Sequence, residues 1–143
     1  MNHKSINVFL FIATLLFLSS CTKEKVTNPE DVAISFFNAL YNDKDINKAK
    51  KFTSKNFQLK LSKYRTAKHA GSKLFHLSFD SVTIDAALAD KKLRSEFNKT
   101  GILTVIFNGK FNKVTIKEMK RIGLVRHNNT WLIDKLLPDL VFN

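Results

Sequence analysis

Few polar side chains in this sequence have the type and spacing that catalysis or metal binding requires. His76 and Asp80 alternate with apolar residues, so they would lie on one face of a predicted strand, about 13 Å apart. Acid–base chemistry at that distance would need a further residue from another strand. His69 falls near a predicted helix end and His127 in a predicted turn, and neither is an obvious metal ligand. The usual zinc-protease, paired-cysteine, serine-hydrolase and nucleotide-binding motifs are absent, so the sequence predicts no catalytic residue, metal or cofactor and favours a non-enzyme.

Cys21 is the one reactive residue whose sequence context is specific. It is the only cysteine of the chain, and it directly follows an apolar stretch and the small residues Ser19 and Ser20. Lys4 supplies positive charge ahead of the apolar stretch, as in a secretory signal peptide. The stretch is shorter than the roughly 20 residues that a membrane-spanning helix needs. The sequence therefore predicts a signal peptide over residues 1–20.

The segment from Leu18 to Cys21 resembles the lipobox of bacterial lipoproteins. The resemblance implies that signal peptidase recognises Leu18, Ser19 and Ser20, and that the thiol of Cys21 carries a diacylglycerol. Two or three acyl chains, at about 0.8 kcal/mol per buried CH₂ group, would anchor the protein stably. Thr22 rather than Asp follows the cysteine, which by the same resemblance favours the outer membrane facing the periplasm in a cell with two membranes. A free or buried unmodified cysteine is the alternative.

The mature chain would be strongly basic. Without residues 1–20 it keeps 23 Lys and Arg against 12 Asp and Glu, a formal net charge of +11. This charge suits an anionic partner such as lipid headgroups or envelope polymers. A lysine-rich solvated surface is the alternative, because the lysines are scattered along the chain. Nucleic-acid binding is not favoured, since only four of the basic residues are Arg.

The first half of the mature chain has helical periodicity. Pro29 suits a first helical position, and the apolar residues after it recur on one face as far as Tyr41. Asp45 predicts the cap of a second, shorter helix. A third helix is predicted from Lys55 to Ala70, ended by Gly71.

The second half alternates between apolar and polar residues, as strands do. The alternation begins at Phe75 and changes phase near Asp80, which predicts a strand with a bend. Residues 86–98 are ambiguous and fit the tail of that strand followed by a polar hairpin loop. Further along the chain, the sequence predicts a central strand over Gly101–Phe107, a turn at Asn108 and Gly109, a long strand over Val114–His127, a turn over His127–Thr130, and a last strand from Trp131, closed by Pro138.

This order of elements predicts an α+β domain, and three of its features resemble the nuclear transport factor 2-like superfamily. They are the stretch Pro29–Tyr41, the short helix Asp45–Phe52 after it, and the closing hairpin Gly123–Asp134, where Trp131 follows a polar turn. The resemblance is to the cystatin-like members found in bacterial lipoproteins as domains of unknown function. It implies N-terminal helices packed on a curved antiparallel sheet of about four strands, which together form a cone.

In that fold the cone encloses an apolar pocket. The aromatic residues Phe36, Tyr41, Tyr64 and Trp131 are candidates for lining it, although Trp131 is more typical of a core anchor. Some members are enzymes, such as ketosteroid isomerase, but this chain has no obvious set of strands that is rich in carboxylate side chains. Many others bind ligands or peptides, or dimerise through the open face of the sheet. The superfamily therefore does not determine the function.

The sequence thus predicts a lipidated tether over residues 21–28 and a single domain over residues 29–143. We expect a membrane-anchored envelope lipoprotein that binds a ligand or protein without catalysis. Its expected partners are the membrane, through the lipid, and an envelope protein, a small apolar ligand or a second copy of the chain. Two alternatives stay open: a small isomerase- or hydrolase-type enzyme using the same pocket, and a basic-surface binder of anionic envelope polymers.

Overall fold

The computed structural model describes residues 28–88 and 99–139. In these ranges the chain has an α+β fold, in which four helices precede a curved antiparallel sheet with strand order β1-β2-β3-β4. The signal peptide, Cys21, the tether up to residue 27 and most of the ambiguous segment 86–98 lie outside the described residues. The elements are α1 (Pro29–Tyr41), α2 (Ile46–Lys50), α3 (Lys55–Leu61), α4 (Ala67–Leu74), β1 (Ser81–Leu88), β2 (Thr100–Phe111), β3 (Val114–His127) and β4 (Thr130–Leu136).

Capping side chains determine where the short helices begin. Asp45 Oδ1 accepts hydrogen bonds of 2.9 Å from two backbone N–H groups of α2, which confirms the predicted cap. Ser54 and Thr66 cap α3 and α4 in the same way, through their hydroxyl oxygens. Pro29 stands at the start of α1, where a missing N–H costs nothing, as the sequence predicted.

The predicted single helix from Lys55 to Ala70 is wrong, because the chain forms two helices there. The first ends at Leu61, and Thr66 starts the second with its own cap, so the polar residues between them leave the helical path. Gly71 does not end a helix either. It lies inside α4, where a Cβ would come within 2.7 Å of Cε1 of Tyr41, so close packing of the tyrosine ring explains the glycine.

The predicted start of the first strand at Phe75 is also wrong. Residues 75–80 are irregular, and the strand begins at Ser81. His76 has a φ of 56°, which interrupts an extended conformation, and the N–H of Leu77 donates to the carbonyl of Gly71 at 3.1 Å. The alternation in the sequence reflects burial without strand pairing, since the apolar residues of this segment are buried and His76 is exposed.

The prediction of a turn at Asn108 and Gly109 is wrong, because the turn in the structure lies further along the chain. Both residues belong to β2, and the two-residue turn is at Asn112 and Lys113, whose φ values are 50° and 67°. Gly109 instead accommodates a neighbour, because a Cβ there would lie 2.5 Å from the ring of Phe79. The next turn, at residues 128–129, and the bounds of β3 agree with the prediction.

The core between the helices and the sheet is aromatic. Phe37 makes edge-to-face contacts with Phe36, Phe75 and Phe107, at ring-centroid distances of 4.8, 5.2 and 4.9 Å. All four rings are fully buried. Such pairs add about 0.5–1.5 kcal/mol each beyond area burial, so α1 is firmly held against β2.

The free edge of β4 is covered by the link between α2 and α3. The N–H of Ile133 donates to the carbonyl of Phe52 at 2.9 Å, and the N–H of Ser54 donates to the carbonyl of Ile133 at 2.8 Å. These bonds protect an edge that could otherwise pair with another chain. They also hold Phe52 beside β4, where it becomes part of the groove described next.

Candidate functional site

A groove of about 550 Å³ lies between α1, the end of α2 and the start of β4. We call it the Trp131 groove. It contains the lone tryptophan of the chain. The lining residues are Asp31, Val32, Ile34, Ser35, Lys51, Phe52, Thr130, Trp131 and Leu132.

The groove has an apolar floor and a polar rim. Trp131 and Val32 are each 4% exposed, and Phe52 is half-buried against the core. Asp31 and Lys51 are exposed and carry opposite charges. Chemically, this arrangement suits a guest with an apolar body whose polar end remains near water.

The end of the β3–β4 hairpin fixes the position of Trp131. Trp131 pairs in register with Arg126, whose guanidinium carbon is 5.8 Å from the indole centroid. That distance allows a cation–π attraction. Arg126 Nη2 also donates to Asn129 Oδ1 at 3.2 Å, so the turn, the arginine and the indole hold one another in place.

A second and smaller concavity of about 100 Å³ lies beside Tyr41, and we call it the Tyr41 cavity. It is bounded by the end of α1, the helix α4, the irregular segment before β1 and the end of β2. The lining residues are Leu40, Tyr41, Lys44, Lys68, Leu77, Ser78, Phe79, Asp80 and Phe111.

Tyr41 is 6% exposed, and its hydroxyl oxygen has no hydrogen-bond partner among the described residues. Its ring makes edge-to-face contacts with Phe79 and Phe107 at 5.2 and 5.8 Å and stacks on Phe37. Burial in this apolar surrounding raises the pKa of the Tyr41 hydroxyl far above its usual range, because the phenolate would be poorly solvated. The group is therefore a neutral donor at physiological pH.

The four aromatic residues that the sequence put forward for one pocket lie in different places. Tyr41 and Trp131 line separate concavities. Phe36 is fully buried in the aromatic core. Tyr64 is half-buried, with its ring edge-on to His69 at 5.4 Å.

The predicted placement of His76 and Asp80 on one strand face is wrong, because residues 75–80 form no strand. Asp80 instead fastens the β2–β3 turn. Its Oδ2 accepts a 2.8 Å hydrogen bond from the N–H of Asn112, and its own N–H donates to the carbonyl of Lys110 at 2.7 Å. His127 is exposed at the end of β3.

Sequence reasoning missed Lys44, Lys68, Ser35 and Phe52 as lining residues. Lys68 is exposed. Nothing local distinguishes it from the other surface lysines, because the cavity forms only when the irregular segment before β1 crosses the end of α1. For Ser35 the sequence did carry a signal. The helical periodicity of α1 places this residue beside the buried face of the helix, and it is half-buried.

Over residues 28–88 and 99–139, no group of three or more His, Cys, Asp or Glu side chains is placed to hold a metal ion. Among the helices of these ranges, none is long and apolar enough to cross a membrane. Comparison of the chain with family models, with curated proteins and with solved structures gives no match.

Proposed function

We propose that this protein is a lipid-anchored lipoprotein of the bacterial envelope, on the outer membrane where there are two membranes, whose domain binds an apolar ligand without catalysis. The Trp131 groove is the observation that carries the proposal. Its volume of about 550 Å³ falls within the roughly 300–1,000 Å³ range of small-molecule sites. An apolar guest there would gain about 25 cal/mol for each Å² of apolar surface removed from water.

The lining favours binding over proton transfer. Asp31 is the lining residue that carries a carboxylate, and it is exposed at the rim. An acid or base catalyst would instead be expected in a desolvated position beside the reacting atoms. The deeper surface of the groove is formed by Trp131, Val32 and Phe52, whose side chains offer a ligand apolar contacts and a defined shape.

The position of the groove suggests where the ligand comes from. Asp31 and Val32 belong to the first turns of α1, next to the point where the proposed tether joins the domain. The seven Cα–Cα steps from Cys21 to Asn28 span at most about 25 Å when extended. An acylated Cys21 would therefore keep the groove near the bilayer, whose alkyl chains are the most abundant apolar groups available. We propose a ligand that carries an alkyl chain.

The architecture also supports membership of the nuclear transport factor 2-like superfamily. Four helices precede a curved four-stranded antiparallel sheet, and α1 contacts three of its strands, β1, β2 and β4. The closing hairpin carries Trp131 as the second residue of β4, after a polar two-residue turn, as in the resemblance noted from the sequence.

A binding titration with a blocked groove tests the proposal. The chain from residue 21 onward, with Cys21→Ser, is titrated with an environment-sensitive fluorescent fatty acid. Ser35→Phe fills the groove from the flank of α1, and we expect it to abolish saturable binding. Asn56→Phe makes the same change at an exposed site on α3 and should bind as the parent does. Equal binding by both variants, or none by the parent, would contradict the proposal.

A further inference from the structure

The first half of β3 lacks a strand on one of its two sides. β4 pairs with β3 only from Ile122 onward, and just beyond β4 the N–H of Leu137 donates to the carbonyl of Arg121 at 2.9 Å. On the other side, β2 pairs with β3 from Val114 to Val125. Within the part of the chain that the structure describes, residues 114–120 therefore form an open edge of the sheet. We call this stretch the β3 edge.

The backbone geometry shows which groups the β3 edge presents. In an antiparallel sheet, successive residues direct their N–H and C=O groups toward opposite neighbours. Arg121 faces the β4 side, because its carbonyl accepts from Leu137. Every second residue before it must face the same way. Thr115, Lys117 and Met119 therefore direct their N–H and C=O groups away from β2, toward the side where a further strand would lie.

The β3 edge is long and regular. Its register with β2 has no shift, and residues 114–120 contain no proline. Bulges, prolines and covering segments are common ways to keep an edge from pairing. The link between α2 and α3 covers the edge of β4, whereas over the described residues no such segment covers the β3 edge. A stretch of roughly 20 Å is thus available to an extended chain.

The two faces beside this edge differ in chemistry. Ile122 is fully buried, so by the alternation of a strand Val114 and Ile116 lie on the same face. Val114 is 63% exposed and Ile116 is half-buried, which leaves apolar surface next to the edge. Lys117 and Arg121 lie on the opposite face by the same alternation. A segment that complements both faces alternates apolar and acidic residues.

Charge makes a second copy of the chain a poor occupant. Lys117, Lys120 and Arg121 stand against Glu118 in this part of β3, and Lys120 Nζ is also 2.7 Å from Asp139 Oδ2. Two copies that paired edge to edge would bring these cationic residues together, and like charges opposite each other destabilise a strand pair. The formal net charge of +12 adds repulsion between whole chains.

We propose that the β3 edge binds an extended acidic segment of a partner protein, which joins the four-stranded sheet as a fifth strand. The backbone of Thr115, Lys117 and Met119 exchanges main-chain hydrogen bonds with this segment. Its acidic side chains lie beside Lys117 and Arg121, and its apolar side chains cover Ile116 on the other face. The site is separate from the Trp131 groove, and its occupation does not depend on the function proposed above.

Amide hydrogen exchange, followed by NMR on the mature lipoprotein in nonionic detergent micelles, tests the pairing. The probe is a peptide of alternating Glu and Val, as long as the β3 edge and capped at both ends. We expect the N–H groups of Thr115, Lys117 and Met119 to exchange fast in the free protein and slowly with saturating peptide. The N–H groups of Ile116 and Glu118 face β2 and should exchange slowly in both states.

A matched pair of variants at one edge position tests the main-chain bonds. Met119→Pro removes an N–H that faces the open side and leaves the bonds to β2 intact. We expect it to bind a fluorescein-labelled form of the peptide about tenfold more weakly than the parent, by fluorescence anisotropy. Met119→Gln also removes the methionine side chain but keeps the N–H, so it should bind nearly as the parent does. Slow exchange of the Glu118 N–H in each variant checks that the sheet is retained.

Four results would overturn the proposal. The first is slow exchange of the Lys117 and Met119 N–H groups in the free protein, because the edge would then already be covered. The second is equal binding by Met119→Pro and Met119→Gln, or no binding by the folded parent. The third is equal binding of a Lys and Val peptide, because the site would then not select an acidic segment. The fourth is self-association of the parent that Met119→Pro removes, which would assign the edge to a second copy.

Discussion

Ser54 Oγ donates a 2.6 Å hydrogen bond to Asp134 Oδ1, joining residues 80 positions apart in the sequence. The same oxygen accepts from the N–H of Phe57 at 3.2 Å and so caps α3. Asp134 is the extra residue of a bulge in β4, since Ile133 pairs with Leu124 and the next pair along β3 already involves Lys135. One buried hydroxyl therefore connects the start of a helix to the edge of the sheet.

We predict that Ser54→Ala lowers the free energy of unfolding by about 2 kcal/mol, because it removes both a helix cap and a hydrogen bond to a carboxylate. Urea denaturation of the parent and the variant measures this. Thr66→Ala removes the cap of α4 alone and should cost about 1 kcal/mol. Equal losses in the two variants would show that the bond to Asp134 contributes nothing.

The close contact between Gly109 and Phe79 leads to a second prediction. A Cβ at Gly109 would lie 2.5 Å from the ring of Phe79 and 2.8 Å from the carbonyl oxygen of Ser81. We expect Gly109→Ala to destabilise the fold by about 1–3 kcal/mol through overpacking. At Gly123 the nearest atoms belong to the flexible, exposed side chain of Lys135, so Gly123→Ala should cost much less. Thermal unfolding of both variants makes the comparison, and a larger loss in Gly123→Ala would contradict it.

The burial of Tyr41 predicts a loss of stability in alkali. Its pKa is raised in the folded protein, whereas the unfolded chain ionises near the ordinary tyrosine value of about 10. The folded state therefore binds the proton more tightly, and the stability due to Tyr41 is present below about pH 10 and declines as the pH rises above it. Urea midpoints measured across this range should fall less steeply for Tyr41→Phe than for Tyr64→Phe. Identical slopes would show that the Tyr41 hydroxyl ionises without unfolding.

Lipidation of Cys21 is tested by intact-mass spectrometry of protein extracted from native membranes. We expect a mature chain that begins at residue 21 and carries the added mass of acyl groups. Cys21→Ala should lose the acyl mass and remain uncleaved at this site. An unmodified mature chain, or cleavage elsewhere, would contradict the lipoprotein assignment and leave Cys21 as a free thiol.

Local signals predicted much of the fold. The cap at Asp45 and the bounds of β3 depend on neighbouring residues, so the sequence was sufficient for them. Gly71 and Gly109 misled the prediction, because each glycine accommodates an aromatic ring from a distant part of the chain and marks no helix end or turn. The periodicity of a sequence cannot show that two distant parts of the chain come so close together.

The candidate sites depend still more on tertiary packing. Tyr41 and Trp131 were expected to share a pocket, but the two concavities lie at opposite ends of α1, with residues 31–35 lining one and residues 40–41 lining the other. The alternation of apolar and polar residues from Phe75 onward predicted correctly which side chains are buried. It predicted strand pairing wrongly, because an irregular segment can also turn every second side chain inward.

The most direct test of the proposed binding function uses Trp131 as a reporter in the anchored protein. The mature lipoprotein is reconstituted into phospholipid vesicles, and Trp131 fluorescence is compared between ordinary lipids and lipids brominated near the ends of their acyl chains. Bromine quenches tryptophan fluorescence on contact, and the ends of the acyl chains normally lie deep in the bilayer. If an alkyl chain occupies the Trp131 groove, the fluorescence of the parent and of Asn56→Phe should therefore be quenched. The fluorescence of Ser35→Phe should not be quenched. Unquenched fluorescence in the parent, or equal quenching in Ser35→Phe, would contradict the account.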